Sequence, residues 1–352
     1  SVLCATYGNT VSYGWGSDCD FSAEVLEVRE GSTEFDVLLA GRSVGKVTLG
    51  VPGEHNVLNA LAVIALATRL GIGFEEVTEA LRTFRGARRR FDVLYRSADF
   101  TVIDDYGHHP TEIRATIDTA LALRPERLVC VFQPHRYTRT KLLRDQFGRA
   151  FRGTDKLFVT DIYAASETPI PGIGGDTVVS AVRENGLSEA ELTADVKTAH
   201  LVVGSSLRRG DMVLTLGAGN VHEVGKALAR DLEVIDKLRR ELDDAETVCR
   251  LYEPMRRHTT MKVGGPAQYW VEPVSVESFA RALRFFREAG IPVRVIGRCS
   301  NLLVRDGGIT GAVIRPGKGE FEDVRVSGGQ ITAGVGERFK KVSNVARANG
   351  VA

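Results

Sequence analysis

Several things are scarce in this 352-residue chain, and each scarcity removes a class of protein. Cysteine is sparse: Cys4, Cys19, Cys130, Cys249 and Cys299 are far apart, odd in number and without a Cys-x-x-Cys pair. Neither a zinc site nor a disulfide framework is indicated, and a reducing cytoplasm is the expected setting. Net charge is almost absent, with 46 Lys and Arg against 45 Asp and Glu, so nothing pulls the whole molecule toward nucleic acid or an anionic membrane. Any anion binding must come from local clusters. The longest apolar run follows Asn56 and is broken by Thr68 and Arg69, too short to span a bilayer. A phosphate loop is also missing, because Gly41 to Val47 and Gly219 to Ala227 lack both the spacing and the Ser or Thr after the Lys. The chain opens at Ser1 without a Met or a readable secretory leader, and closes just past a helical pattern. It is expected to be a segment of a longer protein.

The length suits two or three domains. Residues 1–50 read as short strands with Gly and Asp turns, such as Phe35–Leu39 and Lys46–Leu49. An Ala/Leu helix follows Pro52-Gly-Glu-His-Asn56 and ends at Gly71; a second carries Phe74, Val77, Leu81 and Phe84 at helical spacing. From Phe91 strands and helices alternate. Strands are expected at 100–104, 127–132, 156–161 and 211–216, and helices near 111–123, 140–151, 176–185 and 196–207. That alternation predicts a doubly wound parallel sheet, whose ligands gather beyond the carboxyl ends of the strands. A charged helix is expected from Asp231 to Asp244. After it, residues 259–271 read as a strand pair around Gly264-Gly-Pro266, and a helix with Val276, Phe279, Leu283 and Phe286 ends at Gly290.

The chemistry-bearing residues fall in the strand-end loops. Phe100-Thr-Val-Ile103 runs into Asp104-Asp-Tyr-Gly-His-His-Pro-Thr-Glu112, where two acids and two imidazoles cannot all be buried unpaired. Asp104 and Asp105 can bind a ribose or Mg2+, or simply meet solvent; His108 and His109 can cap the following helix. Gln133-Pro-His-Arg-Tyr-Thr-Arg139 places His135, Arg136 and Arg139 on another such loop, and two Arg three apart can clamp a carboxylate or phosphate. Asn56 and Asn59 share one helix face and can read a heterocycle edge, although the spacing alone favours capping by Asn56. Arg88 to Arg90 can grip phosphates or form a solvated hinge, which their pattern alone favours, and Gly217-Ala-Gly219 is a weak dinucleotide signal without its third glycine. Gly297-Arg-Cys-Ser-Asn301 after a strand can wrap a pyrophosphate through its amides, as a hairpin loop would also appear to from sequence.

Taken in order, Gly53 to Asn59, Arg89-Arg-Phe-Asp92, Asp104 to Glu112, Phe132 to Arg139, Pro169-Ile-Pro-Gly172 and Gly217 to Asn220 resemble the Mur ligases, specifically the UDP-N-acetylmuramate:L-alanine ligase group. The resemblance covers residues 1–231. It implies that residues 1–90 are the end of a central ATPase domain and 91–231 a Rossmann-like C-terminal domain. It further implies ATP and Mg2+, with His55, Asn56 and Asn59 at the adenine, Arg90 at the phosphates and Asp105 at the ribose. His108 and His135 would be the catalytic pair, and Arg136 and Arg139 would hold L-alanine and the reacting carboxyl region. This overturns the capping preference for Asn56. Residues 232–352 resemble the start of UDP-N-acetylenolpyruvoylglucosamine reductase through Tyr252 to Ala267, Ser300 to Val304 and Asp306-Gly-Gly308. That implies an incomplete α+β FAD-binding subdomain using FAD and NADPH, with Gly297, Cys299, Ser300, Asn301 and Leu302 at the FAD. Cys299 stands where that family has a second glycine, which weighs against FAD affinity if the position needs positive φ. The combined expectation is a cytoplasmic fusion of two peptidoglycan-precursor enzymes, inactive as the isolated segment and without a resident protein-bound metal set. The alternatives are another ATP-dependent acid:amine ligase, or a non-catalytic nucleotide- or flavin-binding remnant.

Overall fold

The computed structural model describes residues 10–29, 31–84, 89–193 and 195–350. Arg88 of the expected basic hinge lies outside the described residues. Packing divides the chain into two units, one made of residues 1–194 and 209–225, the other of 195–208 and 226–352.

The first unit begins with a four-stranded sheet in the order β1 (Tyr13–Gly14), β2 (Phe21–Arg29), β3 (Ser32–Leu39), β4 (Arg42–Leu49). Phe35, Val37, Val47 and Leu49 alternate onto one buried face, as period-two patterning requires. Helices α1 (Glu54–Arg69) and α2 (Phe74–Thr83) cover that face with Val57, Leu61, Ile64, Val77 and Leu81. Asn56 does not cap α1. Gly53 is the cap residue at φ 105°, and the Asn56 amide donates to the Pro52 carbonyl at 2.8 Å. A side chain at position 53 would lie 2.7 Å from the Thr119 hydroxyl and 2.9 Å from the His55 ring, so the turn demands glycine.

The second sheet has the order β5 (Asp92–Arg96), β6 (Phe100–Asp105), β10 (Asp211–Leu216), β7 (Arg127–Phe132), β8 (Lys156–Val159), β9 (Ala190–Leu192). All pairs are parallel except β5 with β6, an antiparallel edge that the sequence pattern did not predict. Helices α3 (Pro110–Ala122), α4 (Tyr137–Leu142), α5 (Arg144–Ala150) and α6 (Gly175–Glu184) serve the crossovers. Ile103, Ile113, Ile117, Phe132, Phe147 and Leu214 form the fully buried centre. The single helix expected over 140–151 is two helices, because Leu143 at φ −106°, ψ 15° interrupts the helical run. The third strand closes at Val159, leaving Thr160 and Asp161 to the loop.

In the second unit, α7 (Val196–Ser206) and the later part of α8 (His222–Leu242) accompany a sheet in the order β11 (Val248–Pro254), β12 (Pro266–Glu272), β14 (Ile309–Ile314), β13 (Val293–Val295). α8 starts at His222, not Asp231, and the division of packing at 225/226 falls within it. Ile235, Leu238 and Leu242 sit in one core with Tyr269, Phe286 and Ile314. Asp231, 1% exposed, accepts hydrogen bonds from Tyr252 (2.7 Å), Gln268 (2.8 Å) and the Tyr269 hydroxyl, which satisfies a carboxylate buried in that core. The strand pair flanking Gly264-Gly265 is β11 with β12; residues 259–265 between them form no strand. In α9 (Val276–Glu288) the buried row is Ser278, Ala282 and Phe286, while Val276 is 61% exposed. Of the apolar residues named on this helix, Phe279 and Phe286 pack into the core, whereas Val276 and Leu283 are exposed. A hairpin of β15 (Val324–Ser327) and β16 (Gln330–Ala333) precedes α10 (Phe339–Ala348). Among the described residues no helix is long and apolar enough to cross a membrane.

Candidate functional site

Loops beyond the carboxyl ends of β6, β7, β8 and β10 meet in the first unit. The β6 loop is set by its two acids from below. Asp104, 1% exposed, pairs with Arg89 at 2.8 Å and accepts from Thr215 Oγ1 at 2.6 Å. Asp105, 2% exposed, accepts from the amides of Phe91 (2.8 Å) and Gly107 (2.7 Å) and from Thr116 Oγ1 (3.2 Å). Burial raises the Asp105 carboxyl above its ordinary value against the pull of those amides. Both carboxylates thus help to shape the loop. No metal-holding group of three His, Cys, Asp or Glu occurs among the described residues.

What the acids shape is the placement of His108. Its Nδ1 lies 3.1 Å from the Tyr106 carbonyl, an acceptor only, so Nδ1 carries the proton and Nε2 keeps a free lone pair. Glu112 accepts from the amides of His108 (3.0 Å) and His109 (3.1 Å), closing a capping box at the start of α3 with His109 as the cap residue. Burial opposes ionisation of Glu112, but those amides prevail and hold its carboxyl below the ordinary range.

The β7 loop brings the second imidazole to the first. The rings of His108 and His135 are 5.3 Å apart. Arg139 Nη1 lies 3.4 Å from His135 Nδ1; a guanidinium only donates, so His135 is protonated on Nε2. Burial first, then the neighbouring His108 and Arg139, lowers the His135 pKa, and burial likewise lowers that of His108. Both imidazoles are thus kept neutral beside two guanidiniums. Arg136 is exposed at φ 71° and stands at the head of the short α4 that carries Arg139. Gly219 packs so tightly on this loop that a Cβ would lie 2.2 Å from Gln133 Oε1. That contact, with Gln133 bonded to Asn220 at 2.9 Å, explains Gly217-Ala-Gly-Asn220 as a packing turn.

A cleft of about 720 Å³ in the same unit is lined by His55, Asn56, Asn59, Arg90, Glu112 and Thr116, among others. It gathers four of the five residues expected at ATP and leaves out Asp105. His55 is held below the ordinary imidazole range by burial.

Three contributors were not singled out in the sequence. Arg89, at φ 63°, donates to Asp104 and to the carbonyls of Gly217 (2.6 Å) and Gly219 (3.1 Å), tying β6 to the β10 loop. Tyr106 lies under both Arg89 and Arg90, at 5.2 and 5.6 Å. Tyr163 stacks on His135 at 5.7 Å. The Arg run and the aromatic in the His-His loop were visible signals; partners 128 and 130 positions away were not.

Comparison with known proteins accords with this geometry. Residues 89–219 match the Mur ligase, glutamate ligase domain. Residues 267–352 match an FAD binding domain. The chain is similar to UDP-N-acetylmuramate--L-alanine ligase of Syntrophotalea carbinolica, 43% identical over 226 residues, covering 64% of this chain and 49% of that protein. It is 45% identical over 226 residues to the Sorangium cellulosum protein of the same name, covering 63% and 48%. The chain therefore spans about half the length of the curated relatives it matches. The crystal structure of UDP-N-acetylmuramate-alanine ligase from Thermotoga maritima superposes with a TM-score of 0.54 at 30% identity, over 63% of this chain and 48% of that one. MurF from Acinetobacter baumannii shares the fold at 21% identity and a TM-score of 0.50, over 62% of this chain and 46% of that one.

In the second unit, within the stretch matching an FAD binding domain, the loop 297–303 follows β13. Cys299 adopts φ 58° yet is only 7% exposed, its thiol packed with Met255, Trp270, Val304 and Val313. Gly297 has open space where a Cβ would stand, and Ser300 and Asn301 are exposed. Ser300 and Asn301 form a turn at the loop's exposed edge. The Cys299 side chain is buried with that core, so the exposed face of the loop is free of it.

Proposed function

We propose that this segment belongs to an enzyme that joins L-alanine to the carboxylate of UDP-N-acetylmuramate at the expense of ATP, fused to an NADPH- and FAD-dependent reductase of UDP-N-acetylenolpyruvoylglucosamine. In this reading residues 1–90 end a central ATPase domain, 91–231 form the C-terminal ligase domain, 232–352 begin the flavin domain, and the whole acts in the cytoplasm. One observation carries the ligase half: neutral His108 and His135 converge with Arg139, and Arg136 stands on the same loop.

The muramate carboxylate takes the terminal phosphoryl group of ATP, with Mg2+ supplying charge neutralisation when bound, and the alanine amine then displaces phosphate from the acyl carbon. His55, Asn56, Asn59 and Arg90 would face the nucleotide from their common cleft. Asp105 would approach the ribose, and its contact with the Gly107 amide fixes the loop that carries His108. Arg136 and Arg139 would grip the alanine carboxylate, since a planar fork matches it. The free Nε2 of His108 would accept the proton that the attacking ammonium must shed, a role that requires a neutral imidazole. In the flavin half, Gly297, Cys299, Ser300, Asn301 and Leu302 would hold the pyrophosphate through backbone amides; FAD supplies hydride transfer when bound.

The complete open reading frame should release phosphate from ATP only with both UDP-N-acetylmuramate and L-alanine present, and should oxidise NADPH with the enolpyruvyl substrate. The isolated segment should do neither. A folded complete protein with neither activity would favour a non-catalytic nucleotide- or flavin-binding remnant.

A further inference from the structure

Resting on the ligase reading above, we propose that Glu167, with Tyr163, is a positioning residue that fixes the arginine clamp of the β7 loop from the neighbouring β8 loop. Glu167 accepts from the Thr138 amide at 3.0 Å and from Thr138 Oγ1 at 2.6 Å, in the first turn of α4, between Arg136 and Arg139. Tyr163 forms a parallel bridge with His135: its amide donates to the Pro134 carbonyl at 2.8 Å, and its carbonyl accepts from the Arg136 amide at 2.9 Å. Its ring lies over the His135 ring, 13° from parallel. Both anchors thus grip backbone at 134, 136 and 138, on either side of the side chains that would meet the amino acid.

The link between the anchors is itself specific. Ala165 and Ser166 both take positive φ, 47° and 71°, so the chain reverses between Ala164 and Glu167, whose amide donates to the Ala164 carbonyl at 3.0 Å. This reversal delivers the Glu167 carboxylate to Thr138. α4 is a single short segment with no side-chain cap of its own; buried Thr140, whose hydroxyl donates to the Arg136 carbonyl at 2.9 Å, anchors its inner side, and its exposed side at Thr138 has no anchor within the helix. The Glu167 carboxylate supplies that second anchor, and the two together define the spacing between the two guanidiniums.

The test uses the complete protein. Glu167→Ala should raise KM for L-alanine about tenfold while kcat falls far less and KM for ATP stays put, because a loosened clamp weakens binding of the amino acid in ground and transition states alike. Glu167→Gln keeps one acceptor oxygen and should restore most of the loss. Tyr163→Ala should act in the same direction and Tyr163→Phe should not, since the hydroxyl plays no part. Unchanged KM for L-alanine in both Glu167→Ala and Tyr163→Ala would overturn the proposal, as would parallel rises in KM for both substrates or failure of Glu167→Gln to rescue. A wild-type protein lacking L-alanine-dependent turnover would instead sink the ligase reading, and this inference with it.

Discussion

Removing the Arg89 guanidinium would strand a carboxylate. Asp104 is 1% exposed and keeps only the Thr215 hydroxyl, while the Gly217 carbonyl loses this donor and that of Gly219 is left with the His222 ring at 3.3 Å. Arg89→Ala should therefore cost about 3 kcal/mol, the scale for breaking a buried pair from one side. Arg89→Lys should recover only part of it, as one ammonium cannot reach three acceptors arranged for a fork. Urea midpoints at unchanged m-value measure both. The imidazoles give a second expectation. His55, His108, His135 and His200 are held below the ordinary range chiefly by burial. Below about pH 6.5 the unfolded chain then binds more protons than the folded one. That part of stability is complete above this pH and is lost as pH falls. Asp105, raised by burial, has the opposite sign: its contribution is present below the unfolded carboxylate value and fades as pH rises through the raised one. The thermal midpoint should thus drop between about pH 7.5 and about pH 5.5, where the histidines dominate, and a flat profile would contradict neutral imidazoles. Imidazole titrations followed by NMR would assign the drop to individual rings.

Among elements, the FAD-type loop carries the most direct prediction. Cys299→Gly removes a left-handed Cβ but also a packed thiol, two effects of about 1 kcal/mol each and opposite sign. Stability should change by less than about 1 kcal/mol, whereas Cys299→Val adds a β-branch at φ 58° and should destabilise clearly; chemical denaturation separates them. The loop also illustrates what sequence could convey. A glycine-turn motif after a strand was readable, and so was doubt about Cys299; that the thiol turns inward depends on Met255, Trp270 and Val313, distant in the chain. The same division holds in the ligase unit. The apolar runs at 100–105, 127–132 and 211–216 fixed their strands, because buried parallel strands read as continuous hydrophobic stretches. The edge strands Asp92–Arg96 and Ala190–Leu192 are short and mixed in polarity, and gave no such signal. His108, His135 and Arg139 were readable as candidates, but their convergence depends on the parallel register of β6, β10 and β7. The amide contacts of Asp105 within its own loop gave no signal in the sequence, because a strand-end acid looks alike whichever groups it meets.

For the whole molecule, the division at 225/226 inside a continuous helix predicts how the chain tolerates cutting. A fragment of residues 232–352 lacks Asp231, leaving Tyr252, Gln268 and Tyr269 without their shared acceptor. It also lacks α7, whose Gly204 lies so close to Tyr252 that a Cβ would be 2.2 Å from its ring. Calorimetry should show a broad, weak transition for that fragment, where the intact chain gives a cooperative one; a sharp transition near the intact value would refute this. In the intact chain, Asp231→Ala should cost about 3 kcal/mol, and Asp231→Asn, which keeps one acceptor oxygen, less. The membership of residues 195–208 in the second unit has a further consequence for biosynthesis. On the ribosome α7 emerges before β10, and so before every other piece of the unit it belongs to. It must then wait, unpartnered, while residues 209–225 are made and claimed by the first unit. The order of translation and the order of assembly therefore diverge in this stretch, and a nascent chain halted between residues 208 and 226 would hold one helix with no home.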